Sequence, residues 1–418
     1  MKILVLGYGV EGKSVERYFK NDELDILDHF KKEELLSKDF SGYDLIFRTP
    51  SIPPKFINAP QEKITSVTKY FFHHCPCPII GVTGTKGKGT TCTMTRDLLQ
   101  ALGKKVYLVG NIGLASLDVL PELTPNDVVV YELSSFQLWD MDLSPAVSVV
   151  LRIEPDHLDV HESFEEYVGA KQNLINFQTA KDFCVYFKDN PETQKLVAPT
   201  KATKLEYPYP EPAILDELQV PGAHNREDAE AALLATFAFF KRHDEALTFE
   251  DFLRQNEPAL RKALHEFKAL PHHIEFVRKL NGVSYFDDSF STVSPALRAC
   301  LDSFADTPFV LIAGGKDKGF DLTEVKRLIF DNPNLIKAVL IGETADKLAE
   351  NEDSEKYVKA GTDFTLAIKT AQALAEAKLS QAETKPPVVL LSPCASSFDM
   401  FASYKDRGDQ FKKIVNEL

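Results

Sequence analysis

Gly81-Val82-Thr83-Gly84-Thr85-Lys86-Gly87-Lys88-Gly89-Thr90-Thr91 follows directly on the apolar residues Ile79 and Ile80. The order is strand, glycine-rich turn, lysine, hydroxyls, which is a phosphate cradle between a strand at Ile79 to Val82 and a helix. Glycines in the turn allow backbone N–H groups to come close to phosphate oxygens. Lys88 falls where a lysine reaches the β- and γ-phosphates. A helix beginning near Thr90 and running to Leu102 adds its positive N-terminal end. The strict string G-x-x-x-x-G-K-[ST] would have glycine in place of Val82 and Ser or Thr in place of Gly89, so the hydroxyl of Thr90 comes one residue late.

The rest of the chain bounds this reading. Its 418 residues exceed one ordinary core and predict two to four domains. With 44% hydrophobic and 26% charged residues and no apolar run of membrane-spanning length, the composition is that of a soluble globular protein. The first glycines arrive too early for a signal-peptide core, so the expected location is the cytoplasm. A net charge of -14 without long blocks of like charge argues against nonspecific nucleic-acid or membrane binding, and any phosphate site must be local. Six scattered cysteines fit reduced thiols. His73-His74-Cys75-Pro76-Cys77 has metal-binding residue types but no second pair at finger spacing, and is expected to be a connecting segment.

Three consecutive α/β domains account for the pattern. In residues 1–77 the run Lys2 to Leu6 leads into Gly7-Tyr8-Gly9-Val10-Glu11-Gly12 and a helical stretch through Phe19. Leu24 to Leu27 then ends at Asp28, about 20 residues past the glycines, as in Rossmann-like dinucleotide units. Tyr43 to Phe47 is a further strand, and Tyr207 to Pro212 is a loop. In residues 78–269 the runs Val128 to Tyr131 and Val147 to Leu151 alternate with helices at Asp228 to Phe240 and Phe164 to Phe177, implying a mostly parallel sheet. Residues 270–418 repeat the theme with strands at Phe309 to Ala313, Ala338 to Ile341 and Val388 to Leu391. Ligands of such sheets gather at the carboxyl ends of strands. There stand Glu132 with Ser134, Ser135 and Gln137; Asp156-His157-Leu158-Asp159; Gly314-Gly315-Lys316-Asp317-Lys318-Gly319; and Ser392 through Asp399. A carboxylate such as Glu132 can hold Mg²⁺, His157 can act as ligand or base, and the glycine-lysine and serine-rich turns suit anions.

Taken in order, these strings resemble the Mur ligase family, most of all its D-glutamate-adding branch, over nearly the whole chain. The resemblance rests on residues 81–91, Gly110 to Gly113, Glu132 to Leu138, Asp156 to Asp159, Lys171, Gly222-Ala223-His224-Asn225, Asp288-Ser289, the turn at 314–319 and Leu391 through Gly408. It implies an N-terminal Rossmann-like UDP-binding domain, a central P-loop-type ATPase and a C-terminal Rossmann-like domain that closes on ATP and binds the amino acid. The implied reaction converts a carboxylate of UDP-N-acetylmuramoyl-L-alanine to an acyl phosphate, which the amine of D-glutamate attacks. By position, ATP would meet Gly84, Thr85, Lys86, Gly87, Lys88, Gly89, Thr90, Thr91, Asn225, Asp228, His273 and Asp288. Two Mg²⁺ ions would use Thr90, Glu132, His157 and a carbamate on Lys171, and Lys88, His157 and Lys171 would carry catalysis. Gly9, Val10, Asp28, Thr49, Ser51, Asn111 and Ser134 would contact the UDP substrate, and Lys318, Ser396, Ser397 and Tyr404 the amino acid. A monomer is implied.

The chain departs from the family at several positions. Lys86 replaces Asn, Gly89 replaces Ser or Thr, Asp228 replaces Asn, His273 replaces Arg, and Phe290 replaces the lysine that helps bind the amino-acid carboxylates. Lys88-Gly89-Thr90 resembles the folylpolyglutamate synthase branch, which lacks an N-terminal domain of this kind. A Mur-type ligase with another acceptor, a non-catalytic UDP-sugar sensor and, from Gly7 to Gly12 with Asp28 alone, an NAD-dependent dehydrogenase are the other readings.

Overall fold

The computed structural model describes residues 1–209, 212–381 and 385–418; Pro210 and Glu211 of the expected loop at Tyr207 to Pro212 lie outside them. Sixteen strands among the described residues form three sheets. The first holds β1 (Lys2–Leu6), β2 (Glu23–Leu27), β3 (Leu45–Arg48) and β4 (Ile64–Ser66), all parallel in the order β2-β1-β3-β4. The second holds β5 (Ile79–Thr83), β6 (Val106–Gly110), β7 (Val128–Glu132), β8 (Val147–Val150), β9 (Phe183–Phe187) and β10 (Thr203–Tyr207), also all parallel, in the order β10-β9-β8-β5-β7-β6. The third holds β11 (Glu275–Leu280), β12 (Val283–Asp287), β13 (Phe309–Gly314), β14 (Leu335–Ile341), β15 (Tyr357–Gly361) and β16 (Val388–Leu391), ordered β11-β12-β16-β13-β14-β15.

The chain divides into two compact units, residues 1–217 with 226–265, and residues 218–225 with 266–418. In the first unit, β5, β7 and β8 are buried along their whole length, which is why they read as continuous apolar runs rather than alternating ones. One core runs from Ile3, Val5 and Phe47 of the first sheet to Val129, Tyr131 and Leu133 of the second. Arg48, wholly buried, donates from Nε to Asp140 Oδ2 at 2.9 Å and from Nη1 to the Phe136 carbonyl at 3.2 Å, so the guanidinium that crosses this core is neutralised and satisfied.

In the second unit, β11 and β12 form an antiparallel hairpin through Asn281 and Gly282, both at positive φ (51° and 88°), the pair that a two-residue hairpin turn requires. The remaining neighbours are parallel, and β12, β16 and β13 end together at the 288–291, 392–397 and 314–319 loops.

Several expected boundaries move. The helix expected from Thr90 begins at Lys88, because Gly87 at φ 81° closes the turn early and leaves Lys88 as the first helical residue. The helix at Phe164 stops at Gln172 rather than Phe177; the following residues tighten into i→i+3 turns, Leu174 N to Lys171 O and Ile175 N to Gln172 O. Among the described residues no helix is long and apolar enough to cross a membrane.

Candidate active site

The loop after β5 is shaped by two glycines that no other residue could replace without movement. Gly84 has φ 158° and a Cβ on it would come within 2.6 Å of Leu151 Cβ; Gly87 is in the left-handed region, and a Cβ there would meet Asp228 Oδ1 at 2.2 Å. Thr85 pins the loop from the other side. Its N–H donates to the Arg152 carbonyl at 2.9 Å, its hydroxyl donates to the Glu154 carbonyl at 3.0 Å, and it accepts from Glu154 N at 2.9 Å. The hydroxyl of Thr85 therefore holds structure, while Lys86 points to solvent and Gly89 and Thr90 lie in the first helical turn, half-buried. Thr91 is fully buried and donates to Asp228 Oδ1 at 3.2 Å. Asp228 is thus committed to the floor of the loop, and burial pushes its carboxyl well above the usual range.

Two lysines converge on the same backbone. Lys88 Nζ donates to the carbonyls of Gly84 and Thr85, both at 3.0 Å, and Lys171 Nζ donates to Gly84 O at 2.9 Å and to Thr83 Oγ1 at 3.3 Å. Neither has a carboxylate at ion-pair distance among the described residues. Burial lowers both, Lys171 well below the ordinary lysine range, with Lys88 adding like-charge repulsion and Asp156 and Glu132 opposing it. Lys171 also lies 4.7 Å from the centroid of the Tyr167 ring, and the imidazole of His157 approaches that ring at 6.5 Å. His157 itself is exposed at positive φ (55°), its side chain 48% accessible, and packs edge-on to Phe136.

Glu132 closes the arrangement from the end of β7. It is 3% exposed; Asn111 Nδ2 donates to its Oε1 at 3.2 Å, and its Oε2 is buried with no partner. Burial raises the carboxyl, and Lys88 and Asn111 oppose that shift. An orphaned carboxylate oxygen beside two lysines whose charged forms are disfavoured is a site short of one cation. The Glu132 carboxylate and the Thr90 hydroxyl are oxygen donors of the kind that suits Mg²⁺, so the residues fit that ion.

At the carboxyl edge of the first sheet, Tyr8 N donates to Asp28 Oδ1 at 3.2 Å, and a Cβ on Gly7 would strike Thr49 Oγ1 at 2.3 Å. Thr49 and Ser51 hydroxyls are 3.5 Å apart, and Gly9 caps the helix Val10–Tyr18 with Val10 73% exposed. These residues reach the second sheet through Glu11, whose Oε1 accepts from Gln137 Nε2 at 2.9 Å; Gln137 and Ser134 form a capping box. The fold therefore gathers Gly9, Val10, Asp28, Thr49 and Ser51 at one edge and links it to Ser134.

In the second unit, Asp288 is buried, accepts from Ser392 Oγ at 2.7 Å, and is pushed up to about 7 by burial. Lys318 and Ser396 line one cavity of about 210 Å³ with Lys316, Thr292 and Thr344. Ser397 is buried nearby in sequence, and Tyr404, which does not line this cavity, has its ring against Phe290 (5.2 Å), which stacks on His273 (4.2 Å, 26°). Asn225 Nδ2 donates to Pro221 O at 2.6 Å.

Sequence reasoning missed three groups. Glu11 has a buried, unpartnered Oε2 and a carboxyl raised to about 6 by burial. His161, four residues after His157, is buried with Nε2 2.9 Å from Ser135 Oγ and its ring stacked on Phe136. Arg407, wholly buried, donates to Ser289 Oγ, Ser289 O and Ala395 O and so ties the loops after β12 and β16 together. The His157-x-x-x-His161 spacing and, for Arg407, the string Leu391 through Gly408 were the signals available; what Glu11 and Arg407 do depends on burial and on partners such as Gln137 and Ser289, more than a hundred residues away.

Comparisons with known proteins come to the same place. Residues 82–236 match the Mur ligase middle domain. The UDP-N-acetylmuramoylalanine--D-glutamate ligase of Acetivibrio thermocellus is 33% identical over 468 aligned positions, covering 100% of this chain and 96% of the relative. Among solved structures, MurF from Acinetobacter baumannii aligns with a TM-score of 0.61 at 15% identity over 97% of this chain and 98% of its own. Mycobacterium tuberculosis folylpolyglutamate synthase complexed with ADP aligns with a TM-score of 0.60 at 14% identity over 83% and 93%.

Proposed function

This chain belongs to the Mur ligase family, and from that premise we propose that it is the ATP-dependent, ADP-forming ligase that joins D-glutamate to UDP-N-acetylmuramoyl-L-alanine in peptidoglycan precursor synthesis. The observation that carries the catalytic part is the pairing of Lys88 and Lys171 on the Gly84 carbonyl beside the orphaned Glu132 oxygen. In this reading residues 1–77 bind the UDP portion, 78–269 bind ATP, and 270–418 bind the amino acid.

A carboxylate is a poor electrophile, so its oxygen must first leave as phosphate, and the site is built for that transfer. Lys88 meets the negative charge spread over the transferring phosphoryl group, where positioning and electrostatics supply most of the catalysis. Its present partners are neutral carbonyls, so an arriving phosphate displaces two weak bonds and no ion pair. The loop N–H groups and the start of the helix Lys88–Ala101 add to the same potential. Mg²⁺, held by Thr90, Glu132, His157 and a carbamate on Lys171, would supply further charge neutralisation on the phosphates. The disfavoured charge on buried Lys171 exposes the neutral amine that takes up CO₂. Asn111, Ser134 and the edge formed by Gly9, Val10, Asp28, Thr49 and Ser51 orient the substrate carboxylate and its UDP. Lys318, Ser396, Ser397 and Tyr404 receive the amino acid, and Asn225, His273 and Asp288 the nucleotide.

ADP release with UDP-N-acetylmuramoyl-L-alanine and a panel of D- and L-amino acids tests the proposal: turnover with D-glutamate supports it, and no release with any of them sinks it. One observation favours a second reading, another acceptor on the same ligase. Phe290 replaces a family lysine and is stacked into an aromatic row with His273 and Tyr404, a surface without the charge that a second carboxylate needs. The same panel separates the two.

A further inference from the structure

The segment between the helix Val67–His74 and β5 holds two thiols in contact. Cys75 Sγ and Cys77 Sγ are 3.6 Å apart, both are free, and Cys75 is the one cysteine of the six that is not buried. We propose that Cys75 and Cys77 form a redox-active dithiol that is reversibly modified by small disulfides of the glutathione class.

The chemistry follows from the asymmetry of the pair. Cys75 is half-buried and reachable, whereas Cys77 is 7% exposed and packs into the core of the first unit. In the contact between the two sulfurs either thiol can donate, and Cys75 Sγ also lies 3.4 Å from the Cys77 carbonyl; the contact holds Cys75 below the usual thiol range and pushes Cys77 up. Cys75 as thiolate is therefore the attacking group. It forms a bond to one sulfur of the small disulfide while the S–S bond of that disulfide breaks and one thiolate leaves. Cys77 then gives its proton to solvent, attacks Cys75 Sγ and expels the second thiolate. The protein loses two electrons and two protons, and the disulfide becomes two thiols. Closure brings the sulfurs from 3.6 Å to about 2.05 Å, a movement within reach of two side chains already in contact. The other four thiols, Cys92, Cys184, Cys300 and Cys394, are buried and raised by burial, so they serve as internal controls.

No zinc centre is needed to account for the segment. The only group of three or more His, Cys, Asp and Glu ligand atoms in mutual reach among the described residues is His272, Glu275 and Asp287, elsewhere in the chain. His74 Nδ1 is bonded to Tyr70 O and His73 Nε2 to Asp142.

The test equilibrates the full-length protein with mixtures of glutathione and glutathione disulfide, followed by alkylation and peptide mass analysis. The expected result is loss of two hydrogens confined to the peptide carrying residues 75 and 77 in most of the chains, reversed by dithiothreitol. Cys77→Ser should stop at one glutathione on Cys75, and Cys75→Ser should stay unmodified. If a variant misfolds, brief alkylation of the native wild-type protein gives an independent reading, with Cys75 expected to react first. Retention of both thiols under excess glutathione disulfide, or a first adduct on any other cysteine, overturns the proposal.

Discussion

Two glycine-lysine turns close parallel strands in this molecule, one after β5 and one after β13, and they hold their charge in opposite ways. In the first, Lys88 and Lys171 rest on backbone carbonyls with burial working against their charged forms. In the second, Lys316 donates to Glu343 at 2.7 Å and Asp317 pairs with Lys347, on side chains that are exposed or, for Asp317, half-buried. Both turns bend through glycines that a Cβ would obstruct, at Gly87 and at Gly315, whose Cβ would meet Ser396 O at 2.3 Å. Similar composition thus yields one loop whose Lys88 lacks an anion and one whose Lys316 is already neutralised. An incoming phosphate gains more from the first, since in the second it competes with an existing ion pair.

The largest test of that contrast is on charge. Lys88→Ala should lower ADP-forming turnover by about 10³-fold, the scale of losing a group aimed at transition-state charge, whereas Lys316→Ala should stay within about threefold, as for an exposed pair. Equal losses would break the comparison. Lys171→Ala comes next, with about 10²-fold expected in phosphate release at unchanged secondary structure, since the side chain lies behind the loop and not on its solvent face.

Backbone substitution sharpens the comparison further. Gly87→Ala combines left-handed strain with the clash against Asp228 and should cost about 2–3 kcal/mol in thermal or urea unfolding. Gly319→Ala, at φ 73° but with nothing within 4 Å of the added Cβ, should cost only about 1 kcal/mol.

An effect of similar size concerns Glu11. A carboxyl raised to about 6 in the fold binds its proton more tightly there than in the unfolded chain. Its penalty on stability is absent at low pH, grows as pH rises through the window from 4.5 to about 6, and is complete above it. Glu11→Gln should therefore raise stability by about 2 kcal/mol at pH 7 and by nothing near pH 4, read from unfolding midpoints at both. A gain that is the same at both pH values would show that the buried charge is not the cause.

Much of the architecture was legible because it is local. Buried parallel strands such as β5, β7 and β13 announce themselves as short apolar runs, and glycines at the ends of β5 and β13 mark the turns there. Strands β4, β6, β9, β10 and β15 lie outside the sequence expectation; β10 and β15 are partly exposed, and their mixed polarity looks like loop. The hairpin of β11 and β12 had its Asn281-Gly282 signal in plain view, but it lay outside the α/β alternation that organised the reading.

Within the candidate site, residue types and order pointed to Lys88, Glu132, His157 and Lys171. Spacing alone could not separate Lys171 from any solvated helical lysine. Nor could it foresee that Asp228 closes the loop floor or that Glu11 meets Gln137 across 126 positions.

The sequence by itself determined three α/β segments, a phosphate-binding loop and membership in a ligase family, because these rest on short-range patterns of glycine, charge and apolar runs. Only the tertiary structure decided which lysines rest on carbonyls without a carboxylate and which carboxylate oxygen is left unsatisfied. Those properties arise from desolvation and from neighbours distant along the chain, and neither is written in any one stretch of it.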